Sequence, residues 1–380
     1  MKDYFSGLIK QHQERCSRLF ERIPRNLPRE FHALAQKCGD ELRELYDTLN
    51  WLLKDPNMQL PNYQPERLRH FRRIVKHMNI LETTAIAALA RHNGDDLFLN
   101  KLIEHIRAET NLPLLPPIVS SLSQEYFHIL TNLNLLFVPL SEGDFLLHLP
   151  DLYHELAHPL AAERYDRRVL PFQAALSQSL DMVLEYISAE QVKEQRKPHP
   201  PQHIAFYLYL WQQSWLEWAT EFYCDIFAIC TVGPAFAWSH IFLCAKYGKN
   251  LFEVPTTGMI SHPADDARMK AMLYALRQLG YTDEVDQISA KWDELLTISG
   301  AKAEAEYRRC FPEHLLQGIA TTAVQGVKDI GCLVANPTLR APVYDILNEA
   351  WIEFFKSPMQ YTDWERTAVQ RLRELPVSVV

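Results

Sequence analysis

Between Asp40 and Asp55, Leu42, Leu45, Tyr46, Leu49, Leu52 and Leu53 recur three and four residues apart, which draws one apolar stripe along a helix. Three prolines in KDPNMQLPNYQPE (54–66) end that helix, and a second begins at RLRHFRRIVKHMNILETTAIAALARH. A boundary is expected at NLPLLPPIV (111–119), where three prolines oppose helix continuation. Beyond it, Ser121 and Gln124 have the spacing of a capping box and predict a helix through SQEYFHILTNL. The apolar run LLFVPL (135–140) suits a strand, so one small sheet is expected there. KEQRKPHPPQ (193–202) reads as an exposed loop, and PVYDILNEAWIEFF and DWERTAVQRLREL return to helical spacing after about residue 285.

Composition sharpens this picture. Gly 12 against Pro 23 in 380 residues is too little glycine for a turn-rich sandwich or barrel, so a predominantly α fold is expected. Three parts are expected: an N-terminal helical region (1–112), a core (113–285) and a C-terminal helical region (286–380). The formal charge of −8 argues against general nucleic-acid or anionic-membrane binding. Arg67, Arg69, Arg72, Arg73 and Lys76 cluster on one helix, but such a cluster is more often a solvated face than a phosphate site.

Ile226 to Ala245 has about the twenty apolar residues that a bilayer core demands. Gly233-Pro234, Ser239 and His240 interrupt it, so buried helices are expected and integral membrane association is not. The N-terminus lacks the apolar segment of a secretory signal, and seven scattered cysteines without a CxxC pair fit reduced thiols. A cytoplasmic protein is expected.

The chemistry-bearing signal is His154-Glu155-Leu156-Ala157-His158, an HExxH pattern just after Pro150-Asp151, a plausible helix start. Four residues advance a helix by about 6 Å and turn it about 40° past one revolution, so both imidazoles emerge on one face. They can grip one metal ion, while Glu155 projects beside it, where a general base would stand. A third ligand must come from elsewhere. Downstream, Glu221 and Asp225 are again four apart, so one helix can offer Glu221 to the metal and Asp225 to the free ring N–H of a ligand histidine. Glu217 is the rival third ligand. A shuffled chain of this composition would carry HExxH roughly 0.04 times, so chance is a poor explanation. The bland alternative makes His154 and His158 core histidines and Glu221 and Asp225 a surface pair.

Farther on, the chain reads Ser261-His262-Pro263-Ala-Asp-Asp-Ala-Arg268. His-Pro occurs three times, at 158, 199 and 262, and has value here only through its order after the other two motifs. Together HELAH, EFYCDIFA and SHPADDARM resemble the motif series of the gluzincin zinc metallopeptidases, in the branch with the CAAX prenyl endopeptidase and the bacterial heat-shock membrane protease. The resemblance covers about residues 135–285. It implies that His154, His158 and Glu221 bind Zn²⁺, that Glu155 is the base, and that Asp225 supports a ligand histidine. It also implies that His262 and Arg268 lie near the cleft, His262 helping to stabilise an oxyanion and Arg268 anchoring acidic groups.

Two departures matter. Pro159 removes the N–H that would bond the carbonyl of Glu155, and is expected to kink or end the helix. The membrane spans of that branch are missing, so a lipid-embedded substrate is not implied. The expected activity is a zinc-dependent peptidase acting on a peptide or protein, with a regulatory protein partner as a candidate for the flanking helices. The alternative is an inactive or regulatory zincin-like scaffold that binds metal without turnover.

Overall fold

A computed structural model describes residues 2–123, 126–139, 142–198, 202–247 and 250–376. The fold is predominantly α with one small sheet. In chain order the helices are α1 (Lys2–Arg22), α2 (His32–Lys54), α3 (Gln64–Leu81), α4 (Ala87–Arg91) and α5 (Gly94–Thr110). The strands follow: β1 (Ile118–Ser123), β2 (His128–Leu130) and β3 (Leu135–Pro139). Then come α6 (Asp151–Ala162), α7 (Leu170–Gln195), α8 (Gln202–Val232), α9 (Pro234–Tyr247) and α10 (Asp265–Gln278). The last are α11 (Thr282–Ser299), α12 (Ala305–Cys310), α13 (Glu313–Asp329), α14 (Pro342–Lys356) and α15 (Tyr361–Arg373).

The chain divides into two compact units, residues 1–101 with 117–140, and 102–116 with 141–380. This division differs from the three-part reading: the strands group with the N-terminal helices, and the helices after 286 group with the HExxH helix.

In the first unit, Leu42, Leu45, Leu49 and Leu52 of the apolar stripe are buried together with Leu34 and Cys38. Leu53 packs on this core from its edge, and Tyr46 is left exposed. The sheet has the order β1-β3-β2, with β1 parallel and β2 antiparallel to β3. The predicted helix after Ser121 is not found among the described residues, where Ser121–Ser123 close β1 and His128–Leu130 form β2. Ser121 does not act as a cap, because its N–H and its hydroxyl both donate to Asp96 Oδ1, at 2.6 and 2.7 Å. Gln124, the other half of the presumed box, lies outside the described residues. LLFVPL is strand through Pro139, with Leu140 also outside them. Arg67 leaves the proposed basic face: it is fully buried and donates to the Leu52 carbonyl and to Ser6 Oγ, at 3.0 and 3.2 Å. Arg69, Arg72, Arg73 and Lys76 are exposed.

In the second unit α8 is the central helix, with α6, α7, α9, α10 and α13 packed against it. Every residue from Phe222 to His240 is buried, which explains an apolar stretch of nearly membrane length: it is wrapped by protein on all sides. Among the described residues no helix is long and apolar enough to cross a membrane. Gly233 turns α8 into α9 at φ +69°, and a Cβ there would stand 3.2 Å from the Tyr281 hydroxyl, so glycine is required twice over. Of the expected loop 193–202, Lys193–Gln195 still belong to α7, with Glu194 buried, and Gln202 opens α8; Arg196–Pro198 are exposed, and 199–201 lie outside the described residues. Pro159 does not end α6. The helix continues to Ala162 and closes with Glu163 N–H donating to the Pro159 carbonyl at 2.9 Å.

Candidate metal centre

α6 supplies His154, Glu155 and His158; α8, packed against it, supplies Glu221, Cys224 and Asp225. Helical spacing on both partners brings these side chains into one place although 63 residues separate His158 from Glu221. The start of α6 has no side-chain cap, and Asp151 accepts instead from Ser239 Oγ at 3.0 Å.

Glu221 Oε2 lies 3.5 Å from His154 Nε2 and Glu221 Oε1 lies 3.9 Å from His158 Nε2. His262 Nε2 stands 3.8 Å from Glu221 Oε2. Behind these groups, His154 Nδ1 lies 2.8 Å from Asp225 Oδ1, and Arg268 donates twice to the same carboxylate, Nε to Oδ2 at 2.8 Å and Nη2 to Oδ1 at 2.7 Å. Asp225 is fully buried, and the paired bonds compensate its charge and that of Arg268. Because Asp225 engages Nδ1, Nε2 of His154 is the nitrogen turned to Glu221. Phe236 of α9 stacks on the His154 ring, with centroids 5.9 Å apart, and narrows its orientation further.

His262 arrives by a different route. The segment before α10 is fastened to α8 by two indoles: Trp218 Nε1 donates to the Ile260 carbonyl at 2.8 Å and Trp211 Nε1 to the Pro255 carbonyl at 3.1 Å. The His262 ring stays 59% exposed, so it sits where a substrate can reach it. Arg268, by contrast, is buried on Asp225 and is not placed to anchor an acidic substrate group.

The electrostatics follow from burial and charge. Burial opposes protonation of His154, but the hydrogen bond to Asp225 and the charge of Glu221 outweigh it and raise its pKa to about 10. His158 is pushed down to about 4 by burial and by the neighbouring His154 charge. Burial opposes ionisation of Glu221, yet His154 and His158 draw it down to about 2. Glu155 is raised to about 7, chiefly by burial.

Glu221 Oε2 is among the buried polar atoms that make no hydrogen bond; its nearest donors are His154 Nε2 at 3.5 Å and His262 Nε2 at 3.8 Å. A buried carboxylate oxygen left so is costly. Zn²⁺ with ligand bonds of about 2.0–2.1 Å in tetrahedral geometry separates nitrogen and oxygen donors by about 3.4 Å, close to the 3.5 Å found between His154 and Glu221. Donor set, spacing and the oxygen without a hydrogen bond thus fit a divalent cation. Glu217, the rival ligand, is exposed on α8 and is not brought to this cluster. Cys224 was not anticipated: with His154 and His158 it forms a trio whose donor atoms lie within 4.8 Å of one another. Its position three residues after Glu221 on the same helix was the signal that could have shown it.

Compared with known proteins, the chain matches no family model, no curated protein and no solved structure.

Proposed function

We propose that this protein is a zinc-dependent metallopeptidase that adds water across a peptide bond. The observation that carries the reading is the meeting of His154 Nε2 and His158 Nε2 around Glu221, whose buried Oε2 makes no hydrogen bond. His154, His158 and Glu221 would hold the ion. When bound, Zn²⁺ supplies Lewis acidity, lowering the pKa of a water and polarising a carbonyl.

This chain's own groups do the rest. Glu155, one residue from His154 on α6, takes a proton from the attacking water and returns it to the leaving amine. Its burial raises its pKa above the ordinary carboxylate range in the metal-free chain, which favours its taking up a proton. The exposed His262 ring donates an N–H to the oxygen that gains charge as the carbonyl becomes tetrahedral. Asp225 fixes the tautomer and direction of His154, and Arg268 holds Asp225 ionised in its buried position. Two neutral imidazoles, one carboxylate and a divalent ion sum to +1, so the centre stays electrophilic.

The test is cleavage of a peptide library by purified protein, with metal content measured on the same sample. Cleavage that stops with chelator and returns with Zn²⁺ supports the peptidase. Stoichiometric zinc without cleavage of any peptide would instead favour the scaffold alternative.

A further inference from the structure

A second set of donors lies on the other helices of the same unit. His240 and Cys244 are four residues apart on α9, so they share a face, and Asp265 opens α10 opposite them. His240 Nε2 is 3.6 Å from Cys244 Sγ and 3.8 Å from Asp265 Oδ1. The three donor atoms all lie within 4.8 Å of one another. We propose that His240, Cys244 and Asp265 form a second transition-metal site, distinct from the HExxH centre and suited to a zinc-class divalent cation.

Geometry carries the proposal. A tetrahedral ion with bonds of about 2.3 Å to sulfur and 2.05 Å to nitrogen separates these donors by about 3.5–3.6 Å, against the 3.6 Å found. One imidazole nitrogen, one thiolate and one carboxylate form a borderline-soft set that favours Zn²⁺ or Co²⁺ over Mg²⁺ or Ca²⁺. Coordination would replace the hydrogen bond that His240 Nε2 makes to the Asp265 carbonyl, which at 3.3 Å is long.

Charge is compatible as well. Burial and the Asp265 charge hold Cys244 as a neutral thiol in the metal-free protein, so binding must release its proton to solvent; the thiolate and the carboxylate then carry −2 against the divalent ion. Arg268 acts on His240 electrostatically, but its guanidinium is committed to Asp225 by two hydrogen bonds. Trp292 supports the site from outside: its ring stacks on His240 at 6.0 Å between centroids, and its Nε1 donates to Asp266 at 2.8 Å.

Cys244, itself buried, also lines a cavity of about 500 Å³ together with Leu251, Leu295 and Ile298. The proposal goes beyond the peptidase reading and does not depend on it.

The experiment is Co²⁺ titration of the metal-free full-length protein, read by stoichiometry and by the near-ultraviolet thiolate-to-cobalt band. Wild type should bind two ions. His158→Ala/Glu221→Gln should bind one and keep the band. Adding Cys244→Ser to that variant should remove the band and weaken binding by at least about tenfold. Adding Cys224→Ser instead should change neither. If Cys244→Ser fails to fold, Asp265→Asn in the same background decides, with the same tenfold loss expected. The proposal is overturned if the His158→Ala/Glu221→Gln protein binds no cobalt, if the band survives Cys244→Ser, or if Cys224→Ser is what removes it.

Discussion

Asp225 binds His154 on one side and Arg268 on the other: Oδ1 lies 2.8 Å from His154 Nδ1 and 2.7 Å from Arg268 Nη2, with Oδ2 taking a further bond from Arg268 Nε. Between an imidazole and a guanidinium, the carboxylate stays ionised well below its ordinary range even though burial opposes this. It both aims a ligand and neutralises a buried cation.

Asp225→Asn is therefore expected to do two kinds of damage. Loss of the carboxylate from His154 should weaken zinc binding about 10- to 100-fold. Leaving Arg268 buried without its counter-charge should cost roughly 3–5 kcal/mol of folding stability. Zinc titration and urea denaturation of the same variant measure the two effects. A variant with wild-type zinc affinity would show that His154 is not oriented by Asp225.

Glu155→Gln separates metal binding from turnover. Glu155 is not needed as a ligand in the proposed centre, so zinc content should stay at the wild-type level. Proton transfer by a placed carboxylate contributes typically about 10²–10⁴-fold, and kcat should fall by that order. Metal analysis and steady-state kinetics on a cleaved peptide check this, and near-normal turnover would remove Glu155 from the mechanism.

The same substitution has a pH signature in the metal-free protein. Glu155 ionises at about 7 in the folded chain against an ordinary 4.5, so the folded state binds its proton more tightly than the unfolded state. That contribution is complete below pH 4.5, declines as pH rises, and is gone above about 7. It is worth roughly 3 kcal/mol across the interval. Glu155→Gln cannot ionise and should lack this decline, becoming more stable than wild type relative to its own value at pH 5 as the pH approaches 8. Parallel denaturation curves for the two proteins across this range would contradict the assignment.

The HExxH pair and the Glu221–Asp225 pair were legible in the sequence because each is a four-residue spacing on one helix, and helix periodicity alone puts such residues on one face. What spacing could not supply was the partner helix. Glu217 shares the period of Glu221 but lies one turn nearer the start of α8, where it is exposed. Arg268 was placed near the cleft, anchoring acidic groups, only by the resemblance, whereas its role as the buried counter-ion of Asp225 depends on α10 packing against α8. The false helix after Ser121 has the same origin. Its capping pattern is local, and the competing acceptor, Asp96, is 25 residues upstream. Pro159 does not end the helix: the missing bond to the Glu155 carbonyl leaves three further residues helical.

Cys224 makes the identity of the third ligand an experimental question with a clear expectation. Glu221 approaches the imidazoles of α6 at 3.5 and 3.9 Å, Cys224 of α8 also joins their donor atoms within 4.8 Å, and thiolates are strong zinc ligands. Yet Glu221 is held ionised beside both imidazoles, while burial and the nearby carboxylates of Glu221, Asp225 and Glu155 press Cys224 toward its neutral thiol. Glu221→Gln should thus lower zinc affinity by at least about 100-fold, because only two weakly held imidazoles would be left, whereas Cys224→Ser should change it less than about threefold. Competition with a chromogenic chelator measures both. The reverse order of effects would make the centre a His-His-Cys site and would move Glu221 from ligand to neighbour.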